Sequence, residues 1–328
     1  MTTITHVLKE LSANFISLAE HGLVYGPQGR MLLKNLEDHW LLHCVTMSRY
    51  NTFLSDKCVN DFDFVTKTGM SNIPFGLAKV KSSRNDWNQS IAPTASKLNL
   101  HKTAEIYVFN NNIETKDLYH KVQKERKIWW RKLAQNPSKF KVTEPRKIRN
   151  VDLVDIEGHF SFGTVTVERI AYHTDVRKLL SQIDKKDFVD IQMVEHTVSL
   201  DWGCLALLCD AYDMDKSTKM HIHSKLAPHK VAFYIKKYNE MNSQDDDLNR
   251  FVLYLNNMLR TKGLNTILTS SEQVIDTCLV PFVVSVDRTS LENGIIHVTN
   301  RSTTLSEAIH ITDLVKYISI HCSPVHMV

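Results

Sequence analysis

Apolar residues recur along this chain with two different periods, and the changes of period mark out its elements. Leu8, Leu11, Phe15 and Leu18 keep helical spacing, and a second helical run covers residues 31–50. The first 50 residues are therefore expected to be helical on either side of a turn over residues 21–29. Residues 51–100 show no sustained period and are expected to be irregular and polar, with residues 82–86 as an exposed loop. A strand is expected over residues 105–109. A helix follows from about Asp117 to Ala134, and the carboxylate near its start suits the helix dipole. Strand-like runs come next at residues 148–156, 164–172 and 188–200. In the second, Val165, Val167 and Ile170 alternate imperfectly with Thr164, Thr166 and Glu168, the pattern of a half-buried antiparallel strand with a register break. A helix over residues 202–214 closes this half.

The polar stretch 213–225 reads as a boundary, and beyond it the grammar changes. A short strand (230–235) leads to a helix that opens on Asp245, Asp246 and Asp247. That helix ends before Gly263, a residue suited to a left-handed cap. Then come a strand at 267–268, a short helix at 271–277 and a continuously apolar strand at 280–286 of the kind buried on both faces. A turn at Asn293-Gly294, a strand at 295–299 and a helix at 305–319 complete the chain. The expected fold is α+β over residues 1–218, an antiparallel sheet with helices, followed by a compact α/β domain with a mixed sheet over 219–328.

Composition narrows the function more by exclusion than by signal. With 328 residues, 43% of them hydrophobic, the chain can fill two cores and is not disordered. Its ten glycines are few, and no G-x-G-x-x-G, G-x-x-x-x-G-K-[ST] or G-x-S-x-G occurs. The longest uncharged apolar run, from Cys278 to Val286, is too short to span a membrane, so no membrane partner is expected. Cysteines at 44, 58, 204, 209, 278 and 322 form no C-x-x-C pair and read as reduced, mostly buried thiols of an intracellular protein. His39 and His43 lie one helical turn apart, but without an adjacent Glu or a third ligand they read as packing residues. No metal, cofactor or catalytic group is expected. The first twenty residues resemble neither a secretory signal nor an organelle presequence, so an imported chain would have lost its targeting segment.

Charge carries the positive signal. The net charge is only +4, yet residues 116–149 hold twelve Lys/Arg against three Asp/Glu. Such a block on a slightly acidic body is the footprint of contact with nucleic acid at one place. At about 100° per residue, Leu118, Val122, Trp129 and Leu133 form a core stripe, and Lys121, Lys124, Lys127, Arg131 and Lys132 lie opposite, with Ile128 among them. Lys139, Lys141, Arg146, Lys147 and Arg149 continue the block. These ten cations are the candidate DNA-binding residues. Lysine-rich surfaces contact phosphates, giving sequence-independent, salt-sensitive binding. Trp129 and Trp130 read as packing residues, with base stacking by Trp130 the less favoured alternative.

Several segments also carry a resemblance. Leu226-Ala-Pro-His-Lys-Val-Ala232 resembles the lead into the first strand of the anticodon-binding domain of class IIa aminoacyl-tRNA synthetases. Thr289-Ser-Leu-Glu-Asn-Gly-Ile-Ile-His297 and Asn300-Arg-Ser-Thr-Thr-Leu-Ser-Glu-Ala-Ile-His-Ile311 are similar to the accessory-subunit family of mitochondrial DNA polymerase gamma. Tyr25-Gly-Pro-Gln-Gly29, with Leu33-Lys-Asn-Leu36 and Trp40, resembles a segment shared by that family and glycyl-tRNA synthetases. Ile128-Trp-Trp-Arg-Lys132 with Asn136-Pro-Ser138 resembles the accessory family alone.

The resemblance implies a degenerate class II synthetase-like domain (1–218) and an anticodon-binding-like domain (219–328) with a mixed five-stranded sheet. It implies a non-catalytic processivity factor whose partners are the catalytic subunit of the polymerase and primed or double-stranded DNA. The place implied is the nucleoid of the mitochondrial matrix. Arg301, Thr303, Thr304 and Glu307, in the best-matching segment, are the candidate partner-binding residues. Two departures matter. The stretch Ser199-Leu-Asp-Trp-Gly-Cys-Leu-Ala-Leu207 lacks the arginine with which synthetases hold the triphosphate, so adenylation is not expected. Residues 56–72 offer only a short polar segment where vertebrate members carry a dimerising insertion, so a homodimer is not expected. The alternatives are a glycyl-type tRNA ligase and a free-standing tRNA-binding module.

Overall fold

A computed structural model describes residues 4–10, 14–19, 22–83, 87, 101–176, 180, 191–212, 220–234, 243–269 and 271–323. The chain forms two compact units. One comprises residues 1–8, 17–24 and 36–210, the other residues 9–16, 25–35 and 211–328.

Helix α1 (Ile4–Glu10) is shorter than its apolar spacing suggests, because residues 16–19 join a two-stranded sheet of β1 (Ile16–Ala19) and β2 (Gly22–Tyr25). The backbone just before β1 is committed elsewhere. The Phe15 carbonyl accepts the Gly26 N–H at 3.0 Å, and the Asn14 carbonyl accepts those of Gln28 and Gly29 at 3.0 and 3.2 Å. These bonds satisfy donors at the start of α2 (Pro27–Leu41), whose first residue has no N–H to satisfy. The approach leaves no room for a side chain, since a Cβ on Gly29 would lie 1.9 Å from the Phe15 carbonyl oxygen. A π-helical turn, Leu42–Thr46, extends α2.

The next stretch, expected to be irregular, is ordered: β3 (Asn51–Leu54), α3 (Cys58–Lys67) and β4 (Phe75–Ser83). Phe62 and Val65, one turn apart on α3, are buried with Phe75, Leu77 and Phe109. The helix is only ten residues long and leaves Phe64 among its apolar residues exposed, so its period is weak, yet tertiary burial suffices to hold a short helix. Of the expected loop 82–86, Ser82 and Ser83 lie in β4, and residues 84–86 fall outside the described residues.

There follow β5 (His101–Asn111), α4 (Asn112–Leu133), β6 (Phe140–Val142), β7 (Arg146–Ile148), β8 (Val151–Phe160), β9 (Gly163–His173), β10 (Ile191–Ser199) and α5 (Leu200–Ala211). The strands form one eight-stranded sheet in the order β3-β4-β5-β10-β9-β8-β6, with β7 also paired to β8. Only β3 and β4 run parallel. The expected register break exists: Ile156 faces Glu168 but Glu157 faces Thr166, which leaves Val167 as a bulge.

In the second unit come β11 (Val231–Tyr234), α6 (Ser243–Arg260), β12 (Thr266–Thr269), α7 (Glu272–Thr277) and β13 (Phe282–Ser285). The chain ends through α8 (Arg288–Asn293), β14 (Ile295–Asn300), β15 (Ser306–His310) and α9 (Ile311–Cys322). The sheet order is β12-β11-β13-β14-β15, parallel over the first three strands and antiparallel over the last two. One face packs Phe233, Phe282, Val284 and Val298 against Leu255 and Leu259 of α6 and Leu314 and Ile318 of α9. The other face packs Ala232 against Ile275 of α7. The final helix starts six residues later than its sequence suggests, because residues 306–310 pair with β14 as an edge strand. Among the described residues no helix is long and apolar enough to cross a membrane.

Two segments that carry the family resemblance meet in this unit. The Asn35 amide donates to the carbonyls of Leu226 and Ala227, both at 3.0 Å, and Gln28 lies 3.3 Å from His229. Buried Lys230 closes the same loop, donating to the carbonyls of Ser224, Lys225 and Ala227 at 3.0, 2.8 and 2.9 Å.

Glycine substitutions test this packing. Gly29→Ala should cost about 3 kcal/mol, the upper end of an overpacking penalty, because its obstacle is backbone. Gly263→Ala, with φ 76° and open space around it, should cost only about 1 kcal/mol. Urea unfolding midpoints would rank the two, and equal losses would contradict the close approach.

Candidate nucleic-acid interface

The inward stripe of α4 is as its period predicts: Leu118, Val122, Trp129 and Leu133 are all buried, and Tyr119 and Trp130 join them. One member of the basic block goes inward too. Arg126 is 5% exposed, and its Nε donates to Glu168 Oε1 at 2.7 Å. The Trp130 indole donates to the other oxygen of Glu168 at 2.7 Å, and His196 Nδ1 lies 3.2 Å from Oε1. Burial alone would raise the pKa of Glu168, but Arg126 and His196 outweigh it and hold the carboxyl at about 2. Burial lowers the pKa of His196, so its ring is neutral near pH 7. Trp130 is fully buried and stacks on Phe140 with an interplanar angle of 5°, which overturns the base-stacking alternative. Sequence reasoning missed Arg126 and Glu168 as partners. The available signal was position: Arg126 lies four residues from both Val122 and Trp130, on the core side of the helix.

The outward face sorts the ten candidate cations into two groups. Lys121, Lys124 and Lys132 are exposed and Lys127 is half-buried, and none has a carboxylate partner among the described residues. Ile128, 51% exposed, sits among them. Arg131 is partly engaged, its Nε donating to the Phe140 carbonyl at 3.1 Å. Past α4, Lys139 lies 3.3 Å from Asp210 and 5.5 Å above the Phe160 ring. Arg146 pairs with Asp155, which also holds Arg169 at 3.0 Å. Lys141, Lys147 and Arg149 are exposed, again without a carboxylate partner among the described residues.

Strand β6, against which α4 packs, and strand β7 lie end to end along the outer edge of β8. Cations on such an edge also keep it from pairing with another sheet. On the sheet face opposite Arg126, Glu105 is taken up by the chain's own groups. Lys81 lies at 2.7 Å, Lys79 at 3.2 Å, and the Tyr107 hydroxyl donates at 2.6 Å.

The candidate docking residues also divide. Arg301, expected at a partner surface, is buried. Its guanidinium donates to the Val280 carbonyl at 2.8 Å and to Asp276 at 2.6 Å, tying β14 to the α7–β13 connection. Thr303, Thr304 and Glu307 are exposed. His39 packs its ring 5.5 Å from that of Trp129 and 4.5 Å from that of His43.

No protein-family profile matches the chain. Curated relatives do, and they define a class, the subunits of DNA polymerases. "DNA polymerase subunit gamma-2, mitochondrial" of Drosophila melanogaster is 24% identical over 97% of this chain and 98% of its own length. The Xenopus laevis protein of that name is 29% identical over 60% of this chain, and "DNA polymerase subunit gamma-2" of Mus musculus 25% over 80%. The chain matches 48% and 62% of those two vertebrate proteins' lengths. The chain is thus similar to proteins named as the gamma-2 subunit of a DNA polymerase, in agreement with the resemblance read from its sequence.

Glu168→Gln should destabilise the first unit by about 3–5 kcal/mol, because it leaves Arg126 buried without its counter-charge. Its depressed pKa gives a sign as well. The stabilisation is complete above the ordinary value of 4.5 and is lost as pH falls toward about 2. Urea midpoints measured across that range should fall less steeply in the variant. Parallel acid limbs would show that Glu168 is not charged in the fold.

Proposed function

We propose that this protein raises the processivity of a mitochondrial DNA polymerase by binding its catalytic subunit and duplex DNA together, with no chemistry of its own. The observation that carries the reading is the group of cations with no carboxylate partner among the described residues, on the outer face of α4 and along the β6–β7 edge. A second DNA-binding surface tethered to a polymerase raises the local concentration of DNA and slows its release.

The two-unit chain supports a degenerate synthetase-like domain over 1–218 and an anticodon-binding-like domain over 219–328. The long antiparallel strands of the first unit and the mixed five-stranded sheet of the second agree with that assignment. In this reading Thr303, Thr304 and Glu307 face the catalytic subunit, while Arg301 supports their loop from beneath. The protein works in the mitochondrial nucleoid and pairs one-to-one with its partner rather than with itself. The segment over 56–72 supports this pairing, since α3 buries its apolar face in its own core.

The test is binding to a primed duplex and to tRNA across a salt titration, read by fluorescence anisotropy. Replacing Lys121, Lys124, Lys127 and Lys132 by Gln should weaken duplex binding and reduce the slope of log K against log salt by about 0.9 per lost phosphate contact. An unchanged slope would remove α4 from the interface. Tighter binding to tRNA than to duplex would overturn the reading.

A further inference from the structure

Strand β15 is the last of the five-stranded sheet, and nothing among the described residues pairs with its outer edge. We propose that this edge is a docking strand, to which an extended segment of the polymerase's catalytic subunit adds by main-chain hydrogen bonds. This rests on the functional reading above and adds how the partner is held.

Register fixes which groups the edge offers. The Asn300 N–H donates to the Leu305 carbonyl at 2.9 Å, and the Ile311 N–H to the Gly294 carbonyl at 2.9 Å. Between these two bonds the pairing of β14 with β15 runs without a shift. Hydrogen-bonded pairs alternate along an antiparallel ladder, so Leu305, Glu307, Ile309 and Ile311 turn their main-chain groups to β14. Ser306 and Ala308 turn theirs away, as does the N–H of His310. Residues 302–308 are all exposed, whereas β12, at the opposite edge of the sheet, exposes only Leu268. Leu305, 64% exposed, stands at the head of the strand.

Sheet edges that must stay unpaired commonly carry lysine, proline or a bulge. The β6–β7 edge of the first unit follows that rule with Lys141 and Lys147. Strand β15 has none of these devices, and its one Asp, Glu, Lys or Arg is Glu307. A row of alternating donors and acceptors is matched by another extended backbone. Charge then selects among extended segments. Glu307 accepts the Tyr317 hydroxyl at 3.1 Å but has no cationic partner among the described residues. In an added strand the residue directly opposite Glu307 is its near neighbour, and an opposite charge there is favourable. A basic extended segment therefore fits. A second copy of this chain fits less well. Paired about Ala308, each Glu307 would face the other copy's Ile309, and both carboxylates would stay uncompensated.

The experiment measures assembly of the full chain with the catalytic subunit by surface plasmon resonance, and amide hydrogen exchange in the free chain and the holoenzyme. Ala308→Pro deletes one outward N–H and leaves the bonds to β14 in place, so the variant should unfold at nearly the same urea concentration. Its affinity for the catalytic subunit should fall about tenfold, the equivalent of one main-chain hydrogen bond. In the holoenzyme the amides of Ser306 and Ala308 should exchange about tenfold more slowly than in the free chain. Those of Glu307 and Ile309, already bonded to β14, should change little. Undiminished affinity of Ala308→Pro, or exchange at Ser306 and Ala308 that is not slowed, would overturn the docking strand and leave the functional reading standing. An unsubstituted chain that does not bind the catalytic subunit at all would sink both. Slowing in the free chain that grows with its concentration would make a second copy the occupant and the proposal wrong. Should Ala308→Pro fail to fold, the exchange comparison on the unsubstituted chain decides.

Discussion

The outer surface of the first unit is oriented by one buried carboxylate. Glu168 is fully inaccessible, and an uncompensated charge in that position would cost several kcal/mol. It is tolerated because α4 brings Arg126 and Trp130 to its two oxygens. The bulge at Val167 makes the meeting geometrically available. Ile156 and Gly158 share a face of β8 and pair with Glu168 and Val165, so the extra residue turns Glu168 to the side of Val165 and away from that of Thr166. Rotating α4 by one residue would strand both charges. With the inward face fixed in this way, the 3.6-residue period turns Lys121, Lys124 and Lys132 to solvent and leaves Lys127 half-buried.

Charge counted along the sequence overstates what this surface can offer. Of the twelve cations between Lys116 and Arg149, Arg126 belongs to the core, and Lys139 and Arg146 are matched by Asp210 and Asp155. Arg131 spends a donor on a backbone carbonyl. Asp210 does more than neutralise, because it also accepts the backbone N–H groups of Gln135 and Asn136 at 2.6 and 3.1 Å and so fixes the chain leaving α4. The available cations are therefore the lysines of α4, with Lys141, Lys147 and Arg149 on the strand edge. They are point charges on flexible stems, suited to phosphate contact rather than base reading.

How much of this could be read from the sequence follows from how local each cause is. The core stripe of α4, the apolar central strand at β13 and the helix ending before Gly263 depend on neighbours a few positions away, and they were legible. The register break in β9 was visible as a fault in its alternation. What could not be read depends on distant partners. Residues 16–19 continue a helical spacing, yet they form a strand because the carbonyls of Asn14 and Phe15 serve the start of α2. Helix α3 buries Phe62 and Val65, with Cys58 and Val59 partly covered beside them, and its reason for folding is a surface built by β4 and β5. Residues 306–310 begin as an apolar helix would, but the edge of β14 takes them first.

The site was half legible for the same reason. Periodicity tells an inward position from an outward one, but it does not tell a cation that meets solvent from one that meets a carboxylate of another strand. Arg301 makes the point in the second unit. It stands in the best-matching segment of the chain, and the fold spends it on Asp276 and the Val280 carbonyl. Gly29, Asn35 and Lys230, in the other resembling segments, are likewise consumed by close packing or by backbone carbonyls. These residues of the motifs that identify the relatives therefore report on the scaffold. The exposed groups of those segments are Lys132, on the outer face of α4, and Thr303, Thr304 and Glu307, and it is these that solvent reaches.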